Sequence, residues 1–184
     1  MATQGPFYAT TASNAGDGGT PWDSPTLAEA EDGAQANSGP LDCLVTPALG
    51  STDTINLGGF GFTFGASPVL SIVMEFKRRC DMGFVFDFGI RLVKSGVQTG
   101  VDKSLFTWPT GLAYATYTWT TGEFGTIVTG LDLADAVFGI SIKGTNGACD
   151  SSPFNNEAAH IDAVRVTATV ADSIIQRTMV GTYL

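Results

Sequence analysis

Four stretches of the chain alternate apolar and polar residues with a period of two, and this alternation constrains the fold more than any other feature. Successive side chains of a β-strand point to opposite faces of its sheet, so the spacing predicts strands with one buried face. In the second stretch, the pattern places Phe84, Phe86, Phe88, Ile90 and Leu92 on the buried face. The four stretches are VLSIVMEFKRR (69–79), GFVFDFGIRLV (83–93), AVFGISIKG (136–144) and HIDAVRVTATV (160–170).

Shorter segments predict four further strands, at 42–46, 53–62, 112–120 and 174–184. Residues 79–82 have the length of a hairpin turn, so the first two alternating stretches are expected to pair with each other. Helical turns are expected only at 26–36 and 131–136. Without crossover helices, this order predicts an all-β fold, a single antiparallel β-sandwich that forms a jelly roll of about eight strands.

The N-terminal residues differ in composition from the rest of the chain. Residues 1–40 are rich in Gly, Ala, Ser, Thr, Asn and Pro and show no sustained period. Residues 1–76 contain eight acidic residues and no Lys or Arg, so they hold nearly all of the net charge of −9. The sequence therefore predicts an extended acidic arm at 1–40 and a sandwich domain at 41–184.

Charge and hydropathy exclude several classes of partner. A net charge of −9 and a pI near 4.3 give no positive surface for nucleic acid or an anionic membrane. The sequence has no apolar run of membrane-spanning length, and its first residues lack the basic start and apolar core of a signal peptide. The expectation is a protein made in the cytoplasm, with no nucleic-acid or membrane partner.

Catalytic patterns are weak in this sequence. His160 is the only histidine, and Asp162 lies on the same predicted strand face, but no nucleophile motif accompanies the two. Glu75 and Asp87 would face each other across the expected hairpin like the carboxylates of a glycosidase. Nearby Lys and Arg residues instead indicate cross-strand charge pairs on that face. We therefore predict no enzymatic activity.

Metal-binding patterns are equally weak. Cys43, Cys80, Cys149 and His160 match a Cys₃His zinc site in number, yet none of the close cysteine pairs that such sites use is present. The wide cysteine spacing also argues against a disulfide framework. The loop at 146–157 contains oxygen-bearing side chains that suit calcium, but an Asx-rich turn is the favoured interpretation of this composition. The sequence therefore predicts neither a metal nor a cofactor.

Six segments between residues 22 and 170 form a recognisable series. They are Trp22-Asp23-Ser24-Pro25 with AEAEDGAQA, then NLGGFGF, SIVMEFKRR, RLVKSGVQTGVDKSLFTWPTGLAYATYTW, LDLADAVFGISI and AAHIDAVRVTATV. In this order and spacing, the segments resemble a family of β-sandwich virion proteins of tailed bacteriophages. The chain departs from the family's Tyr-Gly-Gly…Trp-Gly segment, which here reads Tyr117 followed by TGEFG (121–125).

The resemblance implies a non-enzymatic accessory component of the virion, such as a head decoration, neck or tail-associated protein. Its expected partners are the major capsid protein or other virion proteins and further copies of itself, as a homo-oligomer. The alternative is a carbohydrate-binding module that attaches the particle to host glycans. The candidate contact residues are five aromatic residues and one acidic residue: Phe7, Tyr8, Trp22, Asp23, Trp108 and Tyr114.

Overall fold

The protein folds into two antiparallel sheets of five strands each. The structure is a computed structural model and describes residues 1–41, 50–147 and 157–172. A short helix α1 spans Gly130–Ala134, and 3₁₀ turns span Pro25–Ala28 and Thr121–Glu123. The strands are β1 (Ala2–Tyr8), β2 (Thr11–Asn14), β3 (Ala36–Pro40), β4 (Ile55–Gly58), β5 (Val69–Cys80), β6 (Val85–Lys94), β7 (Val97–Thr99), β8 (Ala113–Thr120), β9 (Gly139–Asn146) and β10 (Ala158–Val170).

The strand order defines what we call the β5 sheet and the β6 sheet. The β5 sheet has the order β1-β10-β5-β8, and β3 pairs with the other end of β10. The β6 sheet has the order β2-β4-β9-β6-β7. Most consecutive strands belong to opposite sheets, which is the winding of a jelly roll. The predicted all-β sandwich is confirmed, with ten strands in the described ranges.

The core lies between the sheets and consists of the inward residues of the alternating stretches. The alternation predicted for β5, β9 and β10 is confirmed apart from Leu70, because the other apolar residues of the predicted inward face are buried. Leu70 is half-buried, at a register shift between β5 and β10. Burying one such side chain is worth about 1.5–3 kcal/mol, so this shared face is the main source of stability. The residues are Ile72, Met74 and Phe76 of β5, Ile140 and Ile142 of β9, and Val164, Val166 and Ala168 of β10.

The N-terminal residues form part of the sandwich, which corrects the expectation of an extended arm at 1–40. Strand β1 pairs with β10, from Ala2 opposite Val170 to Tyr8 opposite Arg165. Strand β2 pairs with β4, and β3 pairs with β10. Both β1 and β2 are edge strands with largely exposed side chains, so they carry little of the apolar alternation by which a strand is recognised.

The expected hairpin between β5 and β6 does not form. Both edges of β5 are already paired, one with β10 and the other with β8. Residues 81–84 therefore carry the chain from the β5 sheet to the β6 sheet as a corner of the sandwich. A connection of this length fits either arrangement, and the alternation does not say which strand will be the partner.

A β-bulge in β6 corrects the predicted face of its phenylalanines. The register between β6 and β9 shifts between Asp87 and Gly89. Because one extra residue reverses the alternation, Val85 faces inward before the bulge and Ile90 and Leu92 face inward after it. Phe86 and Phe88, expected in the core, are exposed instead.

No helix in the described part of the chain is long and apolar enough to cross a membrane. The predicted strands at 42–46 and 174–184 lie outside the described residues.

Candidate functional site

The two tryptophans expected to contact a partner lie in the core. Trp22 and Trp108 are 2% and 1% exposed, and their rings stack with centroids 6.4 Å apart. The indole nitrogen of Trp22 donates to the carbonyl of Asp53, at 2.8 Å, and that of Trp108 donates to the Asp87 carboxylate, at 2.9 Å. Neither side chain is available for a surface contact, so both site assignments are corrected.

The other four predicted contact residues lie in different places. Phe7 is half-buried against Phe62, with ring centroids 5.3 Å apart. Asp23 is exposed and forms backbone hydrogen bonds with Asn37. Tyr8 and Tyr114 lie on the outer face of the β5 sheet. Of these four residues, the structure therefore brings together only the two tyrosines, which share a hydrogen-bond partner.

Glu31 joins these two tyrosines. Its Oε2 accepts hydrogen bonds from the hydroxyls of Tyr8 at 2.9 Å and Tyr114 at 2.7 Å, and its Oε1 pairs with Lys77 at 2.8 Å. The hydrogen bond from Lys77, followed by those from the tyrosines, lowers the pKa of Glu31 to about 2. The guanidinium of Arg165 lies 4.5 Å from the centre of the Tyr114 ring. Glu31 thus holds the segment after the first 3₁₀ turn against the outer face of the sheet.

A buried ion pair connects the two sheets. Arg78 of β5 and Asp87 of β6 approach to 3.2 Å, and their side chains are almost fully buried. Tyr117 accepts a hydrogen bond from Arg78 and donates one to Asp87. Burial, the main cause, raises the pKa of the Tyr117 hydroxyl, which therefore keeps its proton at neutral pH. The guanidinium of Arg78 also lies among aromatic rings, with its central carbon 4.8 Å from the centre of the Phe76 ring.

The Asp87 carboxylate also anchors the chain that precedes β8. Its Oδ2 accepts hydrogen bonds from the backbone nitrogens of Phe106, at 3.0 Å, and Leu105, at 3.3 Å. Phe86 bridges to Thr107 in antiparallel orientation. The segment at 105–108 is therefore fixed alongside β6 by a buried charge.

This arrangement creates an exposed apolar patch, which we define as Phe86, Phe88 and Leu105. The antiparallel run of 103–107 beside β6 places Leu105 opposite Phe88, because Phe86 bridges to Thr107 and Lys103 donates to Ile90. The exposed fractions are 78% for Leu105, 59% for Phe88 and 39% for Phe86. This group of exposed apolar side chains is therefore a candidate binding surface.

A cleft, here called the β8 cleft, lies beside the apolar patch. It has a volume of about 410 Å³, and β8 forms one wall with the free edge that ends the β5 sheet. Phe106 and Tyr114, which are 45% and 37% exposed, belong to its lining. The lining residues are Arg78, Phe106, Thr107, Pro109, Ala113, Tyr114, Ala115 and Thr116.

The residues considered for catalysis have other partners. His160 Nε2 lies 2.9 Å from Asp81, and Asp162 instead pairs with Lys77 at 2.8 Å. Burial, followed by the nearby Arg79, lowers the pKa of His160, which leaves the ring neutral at pH 7. Glu75 was expected to pair with a nearby Lys or Arg on the face of a β5–β6 hairpin. It pairs instead with Arg165 of β10, at 2.9 Å.

The metal hypotheses fall largely outside the described ranges. Cys43, Cys149 and most of the loop at 146–157 belong to residues that the structure does not describe. Cys80 is buried, and its Sγ donates to the carbonyl of Trp108 at 3.1 Å. Within residues 1–41, 50–147 and 157–172, no group of three or more His, Cys, Asp or Glu side chains could hold a metal ion.

Sequence reasoning missed the Arg78–Asp87 pair and the apolar patch. A signal for the arginine existed, because Arg78 continues the inward series of Ile72, Met74 and Phe76 at the same period of two. A charge at an inward position needs a buried partner of opposite sign. The patch had no such signal, because its exposure depends on the bulge in β6.

Comparisons with known proteins give only distant similarities. Neither a protein-family model nor a curated protein matches the chain. The N-terminal cellulose-binding domain of Cellulomonas fimi β-1,4-glucanase C is 12% identical, with a TM-score of 0.45 over 90% of this chain and 91% of that domain. The second N-terminal cellulose-binding domain of that glucanase is 14% identical, with a TM-score of 0.34 over 92% of this chain and 100% of that domain. We draw no functional inference from similarities this low.

Proposed function

We propose that this chain is a non-catalytic structural component of a bacteriophage virion, which binds the major shell or neck and further copies of itself. The apolar patch is the observation that carries the proposal. Contiguous apolar patches on a soluble protein are one mark of a protein interface. The proposal also rests on the resemblance of residues 22–170 to phage virion proteins.

The patch suits a permanent contact because its backbone is held in place. Asp87 fixes the backbone of Leu105, and the bulge fixes the orientation of Phe88. A surface that is already ordered loses little conformational entropy when it binds. The patch can therefore contribute to affinity without a rearrangement of the sandwich.

The outer face of the β5 sheet fits the same role. A row of hydroxyl side chains crosses its four strands, with Thr3 opposite Thr169, Thr169 opposite Ser71, and Ser71 opposite Thr120. The row itself is uncharged, and charged side chains elsewhere on this face are paired, Glu31 with Lys77 and Glu75 with Arg165, so the face adds little like-charge repulsion between neighbouring copies. This supports a protein that packs closely beside others on a particle.

Replacing both Leu105 and Phe88 with aspartate is expected to abolish binding to particles while the fold is retained. Both side chains are largely exposed, so the substitutions remove little core burial, but they place two charges in the proposed interface. Co-sedimentation with particles of the encoding phage that lack this protein measures the effect. We expect a loss of at least about tenfold in the bound fraction.

The matched control replaces Ile127 and Val137, two other exposed apolar residues, with aspartate. These residues lie outside the patch and should leave particle binding unchanged. Equal loss of binding in both double variants, or no loss in either, would contradict the assignment of the patch as the interface.

A further inference from the structure

We propose that the β8 cleft binds an uncharged saccharide, a binding function that goes beyond the proposed structural role. The cleft, at about 410 Å³, has room for a short oligosaccharide segment. A pyranose ring presents a face of C–H groups and a rim of hydroxyls. It therefore needs an aromatic wall together with hydrogen-bonding groups, and the cleft offers both.

The aromatic part of the cleft is ordered before any ligand arrives. The Phe106 ring packs edge-on against Tyr117, with centroids 5.6 Å apart, and the hydroxyl of Tyr114 is held by Glu31. Arg165 stacks on Tyr114 at 4.5 Å. Aromatic side chains with fixed rotamers bind a ligand face at low entropic cost.

The hydrogen-bonding part includes an unused donor. Arg78 lines the cleft, its residue is only 1% exposed, and its Nε has no hydrogen-bond partner among the described residues. A buried N–H without a partner costs free energy, and a small movement of the Arg78 side chain toward the cleft would let an oxygen acceptor of a ligand recover it. Thr107 and Thr116 add hydroxyl groups to the lining.

The charge of the cleft favours a neutral ligand. Among the described lining residues Arg78 alone is charged, and its charge is balanced by Asp87 at 3.2 Å. The charged groups that touch Tyr114 are also paired, Glu31 with Lys77 and Arg165 with Glu75. An acidic ligand would bring a second carboxylate toward Asp87 inside a protein of net charge −9. A basic ligand would meet the guanidinium. Uncharged hydroxyls satisfy the free donor without either repulsion.

An added peptide strand is the competing occupant, and the geometry favours it less. The indole N–H of Trp119, near the far end of β8, donates to the carbonyl of Val101 at 2.9 Å, so Val101 lies close to that end of the strand. The cleft exposes only Ala113–Thr116. Since alternate residues of an edge strand direct their backbone groups outward, about two of these four residues are available to pair.

The test is a titration of the full chain with neutral gluco-, galacto-, manno- and xylo-configured oligosaccharides, followed by amide chemical shifts in NMR. Each sugar is used at about 10 mM, which detects dissociation constants in the millimolar range. We expect at least one sugar to shift the amides of Ala113–Thr116 and Phe106. If no member of the panel shifts these amides, the proposal is overturned.

Three variants distinguish ring stacking from a structural effect. Tyr114→Ala is expected to weaken the binding of the active sugar about tenfold, and Tyr114→Phe should keep most of the affinity because the ring remains. Phe88→Ala is the matched control, since it removes an exposed aromatic ring outside the cleft. A Tyr114→Ala variant that binds the sugar as tightly as Phe88→Ala would also overturn the proposal, and shifts caused only by extended peptides would assign the cleft to strand addition instead.

Discussion

Replacing Asp87 with alanine is expected to lower the free energy of unfolding by about 3–5 kcal/mol. The substitution leaves the Arg78 guanidinium buried without a counter-charge and removes the acceptor for Trp108 and Tyr117. It also releases the backbone nitrogens of the segment that precedes β8. A buried charge that loses its partner costs far more than the pair itself contributes.

Urea denaturation of the variant and of Asp102→Ala measures this effect. Asp102 pairs with Arg91 at 3.3 Å and accepts hydrogen bonds from Ile90 and Ser104, but its side chain is about one-third exposed, so its loss should cost only about 1–2 kcal/mol. The double variant Arg78→Met with Asp87→Leu should recover much of the lost stability, because no isolated charge remains. A cost for Asp87→Ala no larger than that for Asp102→Ala would contradict this account of the core.

Replacing Trp22 with alanine is expected to cost about 3–5 kcal/mol, as for other buried aromatic residues. Trp22 is 2% exposed, stacks on Trp108 and donates a hydrogen bond to Asp53. The substitution opens a cavity in the core and leaves the Asp53 carbonyl without its donor. This cost is expected only if the N-terminal residues belong to the sandwich.

Thermal and urea unfolding measure the free energy of unfolding of Trp22→Ala and of the control variant Phe88→Ala. The control removes a ring that is 59% exposed. The Phe88 variant should change stability by no more than about 0.5 kcal/mol, as is usual for surface positions. A Trp22 variant as stable as the Phe88 variant would restore the extended arm that composition suggested.

The sequence predicted the parts of the fold in which alternation and burial coincide. In β5, β9 and β10, one face is buried along nearly the whole strand, so a period of two identifies both the strand and its inward side. Edge strands lack this signal. β1 and β2 are ordered by pairing with β10 and β4, partners that are far away in sequence.

The period of two does not predict which strands pair with each other or where a β-bulge occurs. The short link at 81–84 fits a hairpin or a corner, and only the pairing of β5 with both β8 and β10 decides between them. The bulge at Asp87 reverses the inward side within one strand, so it moves Phe88 to the surface. The apolar patch therefore could not be predicted without the register of β6 against β9.

For the candidate contact residues too, the sequence predicted part of the outcome and only the tertiary structure decided the rest. Tyr114 was identified as a contact residue because it is aromatic, and it does line the β8 cleft. Trp22 and Trp108 were chosen for the same reason, but large rings are also what a sandwich core needs. Residue type alone does not separate the two roles, and burial does.

The measurement that most directly tests the proposed virion role is mass spectrometry of nuclease-treated virus particles purified from a culture that produces this chain. We expect peptides from the chain in the particle fraction, at a copy number that stays constant through repeated gradient purification. Absence of the chain from such particles, with the protein found only in the soluble lysate, would contradict the account.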